Sequence, residues 1–141
     1  MERDPIVGTW RLLLLEMRNP DDQVSYPLGP DAVGYLIYTE DGYMSVVMMS
    51  VHQTEFASDD IRQATMEEKV AAWDSSFSIC GRYQIRGNKI IHHILVGLFP
   101  NWIGDDLEHA FELDGNRLLL SAPPLLVDGL QQTAHMIWER V

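Results

Sequence analysis

Apolar and polar residues alternate through most of this chain, in short runs separated by turn residues. From Phe77 to Arg86 the period is two. Phe77, Ile79, Tyr83 and Ile85 fall on one side and Ser78, Cys80, Arg82, Gln84 and Arg86 on the other, so the first set is expected to face a core. Gly87-Asn88 forms a two-residue turn between Arg86 and Lys89. That register sets Ile85 opposite Ile90 and Tyr83 opposite His92, and directly opposed residues share a face. His92, Ile94 and Val96 are therefore expected inside, and Ile91, His93 and Leu95 outside. A slip of one residue would exchange the two histidines. Leu107 to Leu113 alternates again, with Leu107, His109, Phe111 and Leu113 on the inner side.

The remaining runs follow the same logic. Val7 to Arg18 opens on Gly8-Thr9-Trp10 and ends at the turn residues Asn19-Pro20-Asp21-Asp22. A short segment follows at Val24 to Tyr26. Val33 to Thr39 and Tyr43 to Val51 flank Asp41-Gly42, a strong hairpin signal. Both are apolar on both faces, and the reading sets Tyr35, Ile37, Val46 and Met48 inside. Leu118 to Ala122 stops at Pro123-Pro124, since proline cannot donate to a ladder. Gln131 to Val141 is the last strand, carrying Met136 and Trp138.

The period changes between Ser58 and Ser75. Met66, Val70, Trp73 and Phe77 recur at spacings of four, three and four, one face of a helix, and Thr65 with Glu68 forms a capping box. One helix beside eight to ten antiparallel strands predicts a single all-β domain over 1–141, either a sandwich or a closed up-and-down barrel. The helix would cap one end.

At 141 residues the chain can bury a core without staples, and its 46% hydrophobic and 22% charged residues are those of an ordinary globular domain. A formal net charge of −11 repels phosphate backbones and anionic lipid surfaces, so neither nucleic acid nor membrane is expected as partner. With one cysteine, Cys80, no intramolecular disulfide can form. The N-terminal Met-Glu-Arg-Asp-Pro lacks the basic and apolar regions of a signal peptide, and no apolar run approaches the ~20 residues of a membrane helix. A cytoplasmic location is the expectation.

The chemistry gathers on the inner faces. His92, His109 and Tyr83 converge on an apolar interior, where such groups cost on the order of 1–3 kcal/mol each if left unpaired. Histidine carries protons near neutral pH and tyrosine polarises a carbonyl, so these three are the candidate catalytic groups. Trp138, Met136, Phe111, Tyr35, Met48 and Trp73 are the candidate ligand-binding surface. A metal is not expected: Glu16, sharing the parity of Trp10, could join the two histidines, but no zinc spacing accompanies them. No Gly-x-Ser-x-Gly, Gly-x-Gly-x-x-Gly or phosphate loop is present, so neither a nucleophilic serine nor a cofactor is expected. Phe99 and Trp102 in a loop fit a pocket rim or an interface, and outward Ile91 and Leu95 fit a homodimer contact.

Gly8-Thr9-Trp10 together with Arg140 resembles the Trp–Arg closure of lipocalin and fatty-acid-binding barrels. With Tyr26 to Thr39, Asp41 to Ser45, His92 to Trp102 and Ile137 to Val141, the whole chain resembles the small bacterial and fungal lipocalin-like domain proteins. The resemblance implies a lipocalin-like β-barrel around a small-molecule cavity. Members often carry arginine where this chain has His109, so the inner polar group differs here. Some related barrels are cyclases or isomerases. The resemblance therefore implies a cofactor-independent cyclase or isomerase for a small, largely apolar natural-product intermediate. The alternatives are a non-catalytic binder or carrier of a small hydrophobic molecule, and an interaction module with a filled barrel.

Overall fold

The computed structural model describes residues 4–141. Among them the strands run β1 (Gly8–Arg18), β2 (Val24–Ser25), β3 (Val33–Tyr38), β4 (Tyr43–Met49), β5 (Ser76–Arg86), β6 (Lys89–Gly97), β7 (Asp106–Asp114), β8 (Arg117–Ser121), β9 (Leu125–Val127) and β10 (Leu130–Arg140). The helix α1 (Met66–Asp74) precedes β5, and a 3-10 turn (Pro100–Trp102) follows β6. Each strand of the barrel pairs antiparallel with its neighbour, and β1 pairs with β10 to close the ring. Eight strands form the barrel, with β2 and β9 as short additions at its edges. Closure removes the unpaired edge strands that an open sheet would expose.

The β5–β6 register is the one the Gly87-Asn88 turn predicts: Arg86 pairs with Lys89, Ile85 with Ile90 and Tyr83 with His92. His92 is buried, while His93 faces outward and holds Asp106 Oδ1 at 2.6 Å through Nδ1. The register then shifts. Cys80 pairs with Val96 but Gly81 with Ile94, so Leu95 is an extra residue and β6 bulges. Val96, expected inside, is consequently 59% exposed. Gly81 permits this bulge, because a Cβ there would stand 1.9 Å from the carbonyl oxygen of His93.

β3 and β1 also depart from the expected parity. Tyr35 and Ile37 point outward, 53% and 41% exposed, and Leu36 and Tyr38 are buried instead. Five residues, Thr39 to Tyr43, separate Tyr38 from Met44, an odd number where a two-residue turn at Asp41-Gly42 has an even one, so Tyr38 pairs with Met44 and Leu36 with Val46. Val46 and Met48 keep their inward places, and the opposing strand takes the other parity. In β1 the pairing jumps between Leu12 and Leu14. Trp10 and Leu12 face in before the bulge, Leu15 and Met17 after it, and Glu16 turns outward, where its carboxylate meets Arg18 at 3.0 Å. Glu16 cannot join His92 and His109 across the wall. Among the described residues no group of three or more His, Cys, Asp or Glu is arranged to hold a metal ion.

One end of the barrel is filled. Trp10, Tyr38, Met44, Ile90 and Leu118 are almost fully buried there. Arg140 seals that end: its guanidinium lies 4.2 Å from the Trp10 ring centroid and donates to the carbonyls of Val7 (2.9 Å) and Pro5. The helix forms with the expected Thr65–Glu68 capping box, but it buries no residue. Met66 and Val70 are 78% and 56% exposed, and Phe77 belongs to β5. The helix therefore stands at the rim rather than packing a full apolar face. Among the described residues no helix is long and apolar enough to cross a membrane.

Candidate functional site: an apolar cavity with a histidine floor

The other end of the barrel holds a cavity of about 710 Å³, within the range of small-molecule sites. Its boundary can be followed along each strand. Leu15, Leu36, Val46, Ile79 and Leu120 line it, whereas Leu12, Tyr38, Met44, Gly81 and Leu118, further along the same strands, belong to the filled end. The mouth is aromatic. Trp73 reaches it from α1, and Trp102 packs edge-on against Phe77 (5.6 Å) and Phe99 (5.4 Å). Edge-to-face pairs of this kind hold rings in place beyond their area burial.

His92 and His109 are the buried polar residues of the lining. Both are buried, at 3% and 5% exposure, and their ring centroids lie 4.6 Å apart. Adjacent strands bring them together: Ile90 pairs with His109 and His92 with Leu107, so both rings project inward. The Tyr38 hydroxyl meets Nε2 of His92 at 2.7 Å. His109 Nδ1 lies 3.3 Å from the Leu107 carbonyl oxygen. Among the described residues two sealed nitrogens have no partner, Nδ1 of His92 and Nε1 of Trp138.

Burial sets the protonation of this group. It pushes the His92 pKa well below the usual histidine value, with neighbouring His109 adding to the effect. It lowers His109 to about 4, against a small opposing contribution from the Leu107 carbonyl. Burial, then Tyr83, raises Tyr38 well above the ordinary phenol range. All three groups are neutral at pH 7, as expected when charging a group means removing it from water. The cavity holds no fixed positive charge: among the described residues no lysine or arginine lines it, and Asp74 and Asp128 are its charged members.

Of the residues singled out in the sequence, His92, His109, Trp138, Met136, Met48 and Trp73 line the cavity. Three do not. Tyr83 is half-buried in the filled end, where its hydroxyl donates to the Thr39 carbonyl at 2.7 Å and its ring meets Tyr38 edge-on. Phe111 packs against the core rather than the cavity, and Tyr35 is on the outer surface. Tyr38 is the tyrosine that touches His92, and sequence reasoning passed over it. The available signal was parity: three residues, 40–42 with Gly42 at φ 94°, between Thr39 and Tyr43 put Tyr38 inside with Met44.

A closed antiparallel barrel with a Trp–Arg seal and an open apolar cavity defines a lipocalin-type protein. Residues 7–141 match the family described as a lipocalin-like domain, and the chain belongs to that family. It is similar to the 4'-hydroxy-3'-methoxypropiophenone carrier protein ppsC of Aspergillus oryzae, at 24% identity over 107 residues, covering 70% of this chain and 96% of the relative. It also resembles, in fold, a lipocalin-like protein of Bacteroides uniformis, with 12% identity, a TM-score of 0.50, and coverage of 96% of this chain and 98% of the other.

Proposed function

We propose that this chain is a non-catalytic binder and carrier of a small, largely apolar molecule held inside the barrel. The observation that carries the reading is the cavity of about 710 Å³ whose two buried histidines are both kept neutral. A general acid or base works best with a pKa near the operating pH. With His109 lowered to about 4, His92 well below its usual range and Tyr38 well above its own, none of the three exchanges protons readily at pH 7. They serve better as a fixed, neutral hydrogen-bonding floor. The carrier described for the similar Aspergillus protein supports the same reading.

The close pair of histidines favours a second reading: a cofactor-independent cyclase or isomerase that holds one conformer and moves a proton. One experiment separates the two. The protein and a His92→Phe, His109→Phe double variant are incubated with a metabolite extract and examined by native and untargeted mass spectrometry. A retained mass with no conversion in either tube supports the carrier. Conversion by the parent protein and not by the variant establishes the enzyme, and the absence of any retained or converted compound sinks both.

A further inference from the structure

We infer that the cavity selects a neutral molecule carrying a hydroxyl group, and that His109 Nε2 accepts its hydrogen bond. This rests on the binder reading above and names the class of ligand. One neighbour fixes the tautomer of His109. The partner of His109 Nδ1 is the backbone carbonyl of Leu107, at 3.3 Å. A carbonyl oxygen only accepts, so Nδ1 carries the ring proton. A neutral imidazole has one N–H, so Nε2 is left as a bare lone pair. Burial keeps the ring neutral and so preserves that lone pair through the physiological range.

Nε2 makes no hydrogen bond among the described residues, and it is not sealed away as Nδ1 of His92 and Nε1 of Trp138 are. His109 is 5% exposed and lines the cavity, so its open side is the cavity side. The His92 ring packs against it at a 42° tilt, centroids 4.6 Å apart, and limits its movement. A buried acceptor without a donor is unfavourable, and a ligand O–H supplies the donor.

The same site excludes other chemistries. A carboxylate would bring a negative charge to a lone pair, in a cavity that offers no lysine or arginine and has Asp74 and Asp128 in its lining. Fatty-acid anions therefore fit poorly, and a phenol or alcohol on an apolar body fits well.

The test uses three probes of one shape, 2-naphthol, 2-methylnaphthalene and 2-naphthoate, titrated at pH 7.5 by calorimetry or fluorescence. The expected result is that His109→Phe weakens 2-naphthol about tenfold, the scale of one buried hydrogen bond, and leaves 2-methylnaphthalene unweakened. 2-Naphthoate is expected to bind the parent protein at least about tenfold more weakly than 2-naphthol. Nitrogen-15 NMR of the parent protein provides a readout that does not depend on the variant folding. Nε2 of His109 should show the shift of an unprotonated ring nitrogen, moving when 2-naphthol is added and not with 2-methylnaphthalene. Equal weakening of both neutral probes by His109→Phe, naphthoate binding as tightly as naphthol, or a protonated Nε2 overturns the inference while leaving the binder reading intact. Failure of all three probes to bind the parent protein overturns the binder reading, and the inference with it.

Discussion

The hydroxyl of Tyr38 and Nε2 of His92 meet at 2.7 Å, on side chains 1% and 3% exposed. Two proton arrangements satisfy that distance. If Tyr38 donates, only the Nδ1–H of His92 lacks a partner. If His92 donates, both the Tyr38 proton and the Nδ1 lone pair are stranded. Each stranded buried group is costly, so the first arrangement is favoured. Tyr38→Phe removes the donor and leaves both nitrogens of His92 unpaired. The expected loss is about 1–3 kcal/mol of stability, read from urea unfolding. A variant as stable as the parent protein would show that the contact contributes nothing.

Stability should fall in mild acid. His109 ordinarily titrates at 6.5 and is held at about 4 in the fold, and His92 is displaced in the same direction. The unfolded chain therefore binds more protons than the folded chain between these values. The contribution is fully present above about pH 6.5 and is lost progressively as the pH falls towards 4. For His109 alone this amounts to roughly 2 kcal/mol between pH 7.5 and pH 5, at about 1.4 kcal/mol per unit. Urea midpoints at the two pH values measure it, and His109→Leu should flatten the dependence. An unchanged slope in the variant would count against the assignment.

Two glycine substitutions separate steric from conformational cost. Gly81→Ala places a Cβ 1.9 Å from the His93 carbonyl oxygen, backbone against backbone, at the bulge. It is expected to cost on the order of 3 kcal/mol or more and to reduce soluble yield. Gly87→Ala meets nothing within 4 Å and suffers only from its φ of +60°. There the expected cost is about 1 kcal/mol. Thermal unfolding of the pair checks the order, and equal losses would contradict it.

Arg140 joins the last strand to the start of the first. It lies over Trp10 and at the same time donates to the carbonyls of Val7 and Pro5, which uses both the plane and the fork of the guanidinium. Arg140→Lys is expected to lose roughly 1–3 kcal/mol, because an ammonium cannot reproduce the planar stack and the forked donors together. Ligand affinity should change little, since the seal lies at the filled end. Denaturant unfolding and probe titration of the same variant test both halves of that statement.

Much of this protein was legible from the sequence. Clean alternation in Phe77 to Arg86 and Leu107 to Leu113, with the Gly87-Asn88 turn between them, determined which faces of β5, β6 and β7 carry the two histidines inward. Those turns are local, so their geometry depends on a few neighbouring residues. The capping box of α1 was equally local. Side-chain parity elsewhere was decided only by tertiary structure. The bulge at Leu12/Leu14 arises where β1 meets β10, far away in sequence, and the one at Cys80/Gly81 lies within the β5–β6 hairpin but away from its turn; each reverses every inward and outward position beyond it. That reversal put Glu16 outside and exposed Val96. Beside them, the odd number of residues between Tyr38 and Met44 exchanged Tyr35 for Tyr38. The division into a filled end and an open end is also tertiary. It depends on how large side chains from separate strands, Trp10, Tyr38, Met44 and Leu118 among them, share one volume, and no single stretch of chain encodes that packing.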